Sequence, residues 1–242
     1  MTLEAGPTLV VVLVGALASF ILSSAAGLGG SLLLVPTFAL IFGTKEGVAL
    51  AALLLAGNNI MKIVAYRRVL PYRSSLPLVV TVSIGAAIGA SILVEAPEPL
   101  VAIAVITVLL VSLIAEGRDW RLFRKNSAPV LGFASGITSG ISGSSGPLKG
   151  VAVRALDLDR MHFIGAASLT SLVGDLSKVG VFSQEALLFN WSYGLAAAAI
   201  PLMMIGTAIG RRINRDVGEK GFAVVFWIVM GGYGFRLVAV AI

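Results

Sequence analysis

The stretch Ala26-Gly27-Leu28-Gly29-Gly30-Ser31 interrupts an apolar run that extends over residues 8–43. A similar stretch, Ser142-Gly143-Ser144-Ser145-Gly146-Pro147, interrupts a second apolar run at 128–153. Irregular backbone at membrane depth survives only where it is buried in protein or lines a cavity, because lipid cannot satisfy its hydrogen bonds. We therefore expect each run to enter a membrane, turn at its glycine-rich break and return.

The composition of the whole chain is that of a membrane protein. Of its 242 residues, 57% are hydrophobic and 12% are charged, whereas a soluble domain has about 25% charged residues. Further apolar stretches, each near the length that spans a bilayer, lie at 46–66, 76–95, 99–115, 161–182, 191–210 and 222–241. These features predict an all-α polytopic membrane protein.

The basic residues indicate how the chain is oriented. Most of its 18 Lys and Arg residues lie in four short segments, at 67–73, 116–127, 154–160 and 211–220. Such residues gather on cytoplasmic loops, so both termini are predicted outside. A nucleic-acid-binding protein would carry its basic residues on one folded face, and we expect no nucleic-acid partner.

The two halves of the chain repeat weakly. The segment IGAAIGASI at 84–92 matches IGTAIGRRI at 205–213 at six of nine positions, and Gly29 and Gly146 align at an offset of 117. Equivalent loops fall on opposite faces of the membrane in the predicted topology, which makes the repeats inverted.

Each repeat is expected to be a broken re-entrant helical hairpin followed by three transmembrane helices. The first covers residues 1–115, the cytoplasmic basic linker 116–127, and the second 128–242. Inverted repeats with paired broken segments are typical of secondary transporters, whose binding sites lie near the membrane midplane.

The breaks themselves offer an anion site. If the second arm of each hairpin begins a helix at the break, its free N–H groups and dipole favour negative charge. At the same offset of 117 residues, Asn58 in the first half aligns with Asp175 in the second. Lys149 lies just after the second break. The predicted substrate-binding residues are Gly27, Gly29, Gly30, Ser31, Asn58, Asn59, Gly143, Ser144, Ser145, Gly146 and Lys149.

Each of these assignments has a structural alternative. The glycines could serve only close helix packing, and the asparagines could simply join helix to helix. Lys149 could extend towards the inner interface, as we expect of Lys62, which lies close to Arg67.

Asp175 falls inside the apolar stretch 161–182, where ionisable residues are functional candidates. Lys178 lies three residues on, on the same helix face. The pair could couple transport to a proton taken up by Asp175, or it could be a static ion pair that only permits burial.

The composition argues against several other functions. A single histidine, His162, and no cysteine argue against a transition-metal site, and we interpret His162 as structural. No phosphate-binding loop is present, and no cluster of His, Cys and acidic residues supports catalysis. We expect no catalytic residues, no metal and no cofactor.

The residues quoted above resemble those of a known family. The run from Gly27 to Pro36 (GLGGSLLLVP) is similar to the GxGGGxxxVP element of the sulfite exporter TauE/SafE family, and 139–147 is similar to that family's second glycine-rich element. The likeness extends over essentially the whole chain. It departs at Ser31, where the family has a third glycine, and at Ser144 and Ser145, where glycines are common.

The resemblance implies a bacterial-type inner-membrane permease for sulfur-containing anions such as sulfite or organosulfonates, so that the outer side is the periplasm. The expected partners are a small anion and the lipid bilayer, and also protons if Asp175 couples transport to them. An anion channel and a non-transporting membrane assembly subunit are the alternatives. The chain's length leaves room for a homodimer and does not require one.

Overall fold

The computed structural model describes residues 5–26, 29–115 and 127–216. Within these ranges the regular structure is entirely helical, and a short 3-10 turn at Arg67–Val69 joins two of the helices. The α-helices are α1 (Ala5–Ala26), α2 (Gly30–Phe42), α3 (Thr44–Tyr66), α4 (Tyr72–Glu95), α5 (Glu98–Ala115), α6 (Ala128–Ser142), α7 (Gly146–Arg154), α8 (Arg160–Gln184), α9 (Asn190–Ala198) and α10 (Ile200–Asp216). Most of the basic linker and the apolar stretch 222–241 lie outside the described residues.

Both apolar runs with glycine-rich breaks are divided into two helices. The first run becomes α1 and α2, and the second becomes α6 and α7. Gly29 precedes α2 with a φ of 96°, and Gly143 follows α6 with a φ of 73°. Glycine adopts this left-handed conformation without the steric penalty that a Cβ imposes. The sequence therefore ends one helix and starts the next at the positions where the breaks were predicted.

Some of the helices are long and apolar enough to cross a membrane. Among the described residues, Thr44–Val69 and Tyr72–Glu95 qualify by length and composition, and the bent pair α9 and α10 makes a third candidate if it is one span. Shorter apolar helices lie at Val12–Ala25, Gly30–Phe42 and Glu98–Val108. The fold is thus all-helical and has the character of a membrane protein.

The apolar stretch 191–210, which we expected to form one crossing, consists of two helices. α9 and α10 meet near Ala199 at an angle of 45°. Pro201 follows directly at the start of α10. A proline lacks the N–H group that would continue the preceding helix, and its ring clashes with the carbonyl oxygen four residues earlier. Pro201 therefore accounts for the bend.

Glycines bring two pairs of helices into close contact. Gly89 of α4 lies against the carbonyl oxygen of Ile137 on α6, and Gly210 of α10 lies against that of Ile21 on α1. In both places a Cβ atom would overlap with backbone of the facing helix. Each hairpin's first arm therefore packs against a helix from the other half of the chain.

Two central helices connect these packed pairs. α3 packs against α8 in the middle of the described structure, while α2 packs on α3 and α4 packs on α8. The larger cluster of buried apolar residues includes Phe20, Phe38 and Phe182, from α1, α2 and α8. The helices that start at the two breaks, α2 and α7, contact α3 and α8 respectively.

Candidate functional site

A cavity of about 40 Å³ lies between the two helix breaks. Gly29, Gly30 and Ser31 line it from the first break, and Ser144 and Ser145 line it from the second. The breaks also touch each other, because the Ser31 hydroxyl donates a hydrogen bond of 3.1 Å to the Ser144 hydroxyl oxygen. A cavity needs roughly 10–15 Å³ to hold one buried water molecule, so this cavity suits an occupant of a few heavy atoms.

Lys149 brings a positive charge to this cavity. It lies on the first turn of α7, and its side chain is 9% exposed. Its Nζ donates to Ser171 Oγ on α8 at 3.2 Å, and both residues line the cavity. The ammonium group is therefore held inside the fold at the cavity wall, so the alternative in which Lys149 extends out of the fold is wrong.

Asp175 joins α3 and α8 at the cavity wall. Its Oδ1 forms an ion pair of 2.7 Å with Lys178 Nζ on its own helix. Its Oδ2 accepts a hydrogen bond of 2.7 Å from Asn59 Nδ2 on α3. Both carboxylate oxygens thus have partners, which is how a protein tolerates a buried charge.

Lys62 does not extend towards the interface as the sequence led us to expect. It is fully buried, and its Nζ donates to the hydroxyl and carbonyl oxygens of Ser23 on α1, at 3.0 and 3.4 Å. Lys178 makes corresponding contacts with α6, donating to Ser139 Oγ at 3.2 Å and to the carbonyl oxygen of Gly143 at 3.5 Å. The end of each first arm supplies oxygen acceptors, so neither lysine needs to reach water.

The predicted site residues fall into two groups. Those that line the cavity are Gly29, Gly30, Ser31, Asn59, Gly143, Ser144, Ser145, Lys149 and Asp175. Lys178 lies behind the wall as the partner of Asp175, and Gly146 begins α7 without lining the cavity. Gly27 lies outside the described residues.

Asn58 lies apart from the cavity. Its Oδ1 accepts a hydrogen bond of 3.2 Å from the hydroxyl of Thr207 on α10, and that hydroxyl also accepts from Ser24 on α1. The amide joins three helices, which corresponds to the structural alternative for this residue.

Three serines in the cavity wall were not among the predicted site residues. They are Ser23, Ser139 and Ser171. Ser23 and Ser139 are 116 residues apart, as are Asn59 and Asp175. The 117-residue offset of the glycine breaks pairs Ser23 with Gly140 instead, so the sequence repeat did not single out Ser23.

His162 lies at the start of α8, away from the cavity. Asp159 caps this helix by accepting hydrogen bonds from the N–H groups of Met161 and His162, at 3.0 and 3.2 Å, and the His162 ring contacts the same carboxylate. The hydrogen bonds from His162 hold the pKa of Asp159 below its usual value. Within the described ranges, no group of three or more potential metal-ligating His, Asp or Glu side chains comes together.

The sequence matches one family model. Residues 11–237, nearly the whole chain, match the model described as sulfite exporter TauE/SafE. No curated protein and no solved structure matches the chain.

Proposed function

The chain belongs to the sulfite exporter TauE/SafE family, and on that premise we propose that it is a secondary transporter that binds a small sulfur oxyanion in the cavity between its two helix breaks. Membership of this family implies a membrane permease for sulfur-containing anions. The observation that carries the proposal is the cavity itself, which is lined by Lys149 and serine hydroxyls and lies between the starts of α2 and α7.

The anion would be held by groups from both breaks. The first N–H groups of α2 and α7 have no partners within their helices, and the dipoles of both helices favour negative charge at these ends. Ser144 and Ser145 add hydroxyl donors, and Lys149 adds a full positive charge. The Ser31 hydroxyl would turn from Ser144 to donate to the anion as well. The cavity volume favours sulfite over longer organosulfonates, which would need the walls to separate.

We further propose that the two halves are inverted repeats. The Lys62–Ser23 contact has its counterpart in the Lys178–Ser139 contact, with both partners shifted by 116 residues. The contact of Gly89 with Ile137 likewise has its counterpart in that of Gly210 with Ile21. Such a relation supports a transporter over a channel, because exchanging the conformations of two related halves opens a central site to either side in turn.

Flux measurements separate this function from its alternatives. We expect purified protein in liposomes to show saturable sulfite flux that is accelerated by unlabelled sulfite on the opposite side. An anion channel would give flux that follows the electrochemical gradient without saturation or exchange. An assembly subunit would give no flux and no ligand binding, and either result would refute the proposed function.

Asp175 is the residue that we propose takes up a proton during transport. It lines the cavity and contacts both α3 and α8, so a change in its charge would alter contacts of both helices. We expect Asp175→Asn to abolish sulfite flux driven by a pH gradient. Glu185→Gln, which changes an exposed acid at the end of the same helix, should leave that flux unchanged. Unaltered pH-driven flux in Asp175→Asn would show that the carboxyl group is only a static ion-pair partner.

A further inference from the structure

The cavity has walls of opposite hydrogen-bonding character. On the side of α7, Lys149 carries an ammonium group that can only donate. On the side of α3 and α8, Asp175 carries a carboxylate, and Asn59 carries an amide oxygen. An anion that carries only hydrogen-bond acceptors could accept a hydrogen bond from Lys149. It would offer no donor to the oxygen atoms of Asp175 and Asn59.

The orientation of the Asn59 amide is fixed by its neighbours. Lys178 pairs with Asp175 Oδ1, and Asp175 Oδ2 accepts the hydrogen bond from Asn59 Nδ2. An ionised carboxylate only accepts hydrogen bonds, so the amide must turn its N–H group towards Asp175. The amide oxygen is thereby left as an acceptor.

This amide oxygen has no partner within the part of the protein that the structure describes. The Asn59 side chain is 1% exposed, and among the described residues no donor lies within hydrogen-bonding distance of its Oδ1. A buried acceptor that lacks a hydrogen bond destabilises the protein, and such an atom in a cavity-lining residue is an indication of a missing ligand group.

We propose that the site selects oxyanions that carry their own hydrogen-bond donor, with that donor directed to Asn59 Oδ1 and the anionic oxygens directed to Lys149 and the serines. This inference rests on the proposed function and narrows its substrate class. For sulfite it assigns the singly protonated form, hydrogensulfite, as the bound species. Asn59 is then the residue that determines specificity.

The carboxylate beside the Asn59 amide favours a protonated oxygen on that side of the cavity. Asp175 is the negative group beside the amide, while Lys178, Lys149 and Lys62 are the positive groups on α8, α7 and α3. A dianion that filled the cavity would bring negative oxygens against Asp175. A protonated oxygen on that side removes the repulsion and supplies the donor at once.

Two anions of equal charge and nearly equal shape test the inference. Sulfamate carries an amino group, with its N–H donors, where methanesulfonate carries a methyl group, and neither anion changes its charge near neutral pH. The binding of both to the full-length protein in detergent would be measured by calorimetry, with sulfite as the reference ligand. We expect sulfamate to bind about tenfold more tightly than methanesulfonate, the ratio typical of one hydrogen bond to a buried group.

Two variants connect this preference to Asn59. Asn59→Leu should bring the two affinities to within about twofold of each other, because the acceptor is gone. Asp175→Asn should do the same, because an amide neighbour no longer forces the Asn59 N–H group towards position 175. Asn58→Leu is the matched control, since Asn58 does not line the cavity, and it should keep the wild-type ratio.

The outcomes distinguish this inference from the proposed function. If the wild-type protein binds sulfamate and methanesulfonate equally, or if Asn59→Leu still prefers sulfamate, the selection of donors is refuted. Binding of sulfite in the same experiment would still support the anion site. Failure of sulfite to bind would refute both. If sulfite binds but sulfamate and methanesulfonate do not, the affinity for sulfite is measured as a function of pH around neutrality. The inference predicts that this affinity follows the fraction of hydrogensulfite. An affinity that follows the fraction of the dianion refutes the inference.

Discussion

At the scale of single residues, the site depends on how buried charges are paired. Lys178, Asp175 and Asn59 form one chain of contacts that runs from α8 to α3. Removing one member of such a chain leaves the next one buried without its partner, which is more damaging than the loss of the contact itself. Substitutions here must therefore be interpreted through ratios of affinities, as for sulfamate and methanesulfonate, because the absolute affinity also reports on the damage.

Asp159, which lies outside the predicted membrane-spanning segments, gives a prediction about a single residue. Its side chain caps α8, and its pKa is lowered by the hydrogen bonds from His162. Because the folded state favours the ionised carboxylate, Asp159 stabilises the protein at pH values above the usual Asp pKa. That stabilisation is lost as the pH falls through the lowered pKa that Asp159 has in the folded state. Asp159→Ala should therefore melt at a lower temperature than the wild type at neutral pH.

The difference in melting temperature between Asp159→Ala and the wild type should shrink as the pH falls below the usual Asp pKa of 3.8. Melting curves of the protein in detergent, recorded from neutral to acidic pH, measure this directly. Asp159→Asn retains a capping acceptor and should lie between the two proteins at neutral pH. A gap that widens as the pH falls below 3.8 would contradict the assigned capping role.

Individual site residues could be predicted from sequence where chemistry singled them out. Asp175 and Lys149 are charges in apolar surroundings, and both line the cavity. The sequence could not separate Asn59 from Asn58, because adjacent helical residues point in different directions and only the packing of α8 and α10 decides which amide faces the cavity. Lys62 was interpreted wrongly because its acceptor, Ser23, is distant in sequence.

At the scale of helices, glycine has two separate tasks in this chain. At Gly29 and Gly143 it allows a backbone conformation that ends one helix and begins another. At Gly89 and Gly210 it allows two helices to approach until their backbones touch. An added methyl group would strain the backbone itself in the first case, and would push two helices apart in the second.

The helix contacts predict opposite effects for two identical substitutions. In Gly89→Ala the new Cβ would overlap with the carbonyl oxygen of Ile137, and overpacking of this kind destabilises a protein by about 1–3 kcal/mol. In Gly180→Ala, on α8, the new Cβ would meet no atom within 4 Å. The higher helix propensity of alanine should then stabilise the protein by about 0.5–1 kcal/mol.

Thermal unfolding of both variants in the same detergent measures the difference. The expected order of melting temperature, from highest to lowest, is Gly180→Ala, wild type, Gly89→Ala. If Gly89→Ala melts at or above the wild-type temperature, α4 and α6 do not pack as closely as described.

The positions of the two helix breaks were predictable because glycine, serine and proline clustered inside apolar runs. The bend between α9 and α10 was missed, although Pro201 marks it. A single proline within an apolar stretch is compatible with a straight span, a kink or a break, and tertiary packing selects among them. The match between IGAAIGASI and IGTAIGRRI predicted that α4 and α10 are related. The helices that their glycines contact, α6 and α1, could be identified only from the structure.

At the scale of the whole molecule, the two halves are interlocked. The first arm of each broken hairpin packs against a helix from the opposite half, and the cavity takes its lining from both. In the proposed mechanism, any relative movement of the halves therefore changes the shape of the cavity. In that mechanism the cavity opens to one side of the membrane as it closes to the other.

The proposed orientation in the membrane is directly testable because the chain contains no cysteine. Arg68 follows α3, Glu95 ends α4, and both are exposed. With basic loops inside, Glu95→Cys should react with a membrane-impermeant maleimide added to spheroplasts, and Arg68→Cys should react only after the membrane is opened. Labelling of both positions from the same side would contradict the proposed orientation and with it the inversion of the repeats.

The central claim is that the cavity between the breaks binds a small sulfur oxyanion, and calorimetric titration of the purified protein with sulfite tests it most directly. The wild-type protein should bind sulfite saturably. Lys149→Met, which removes the ammonium group from the cavity wall, should weaken binding about tenfold to a hundredfold, as expected for a hydrogen bond to a charged group. Arg154→Met, at the exposed end of the same helix, should bind as the wild type does. Absence of sulfite binding by the wild type, or equal binding by Lys149→Met, would contradict the account.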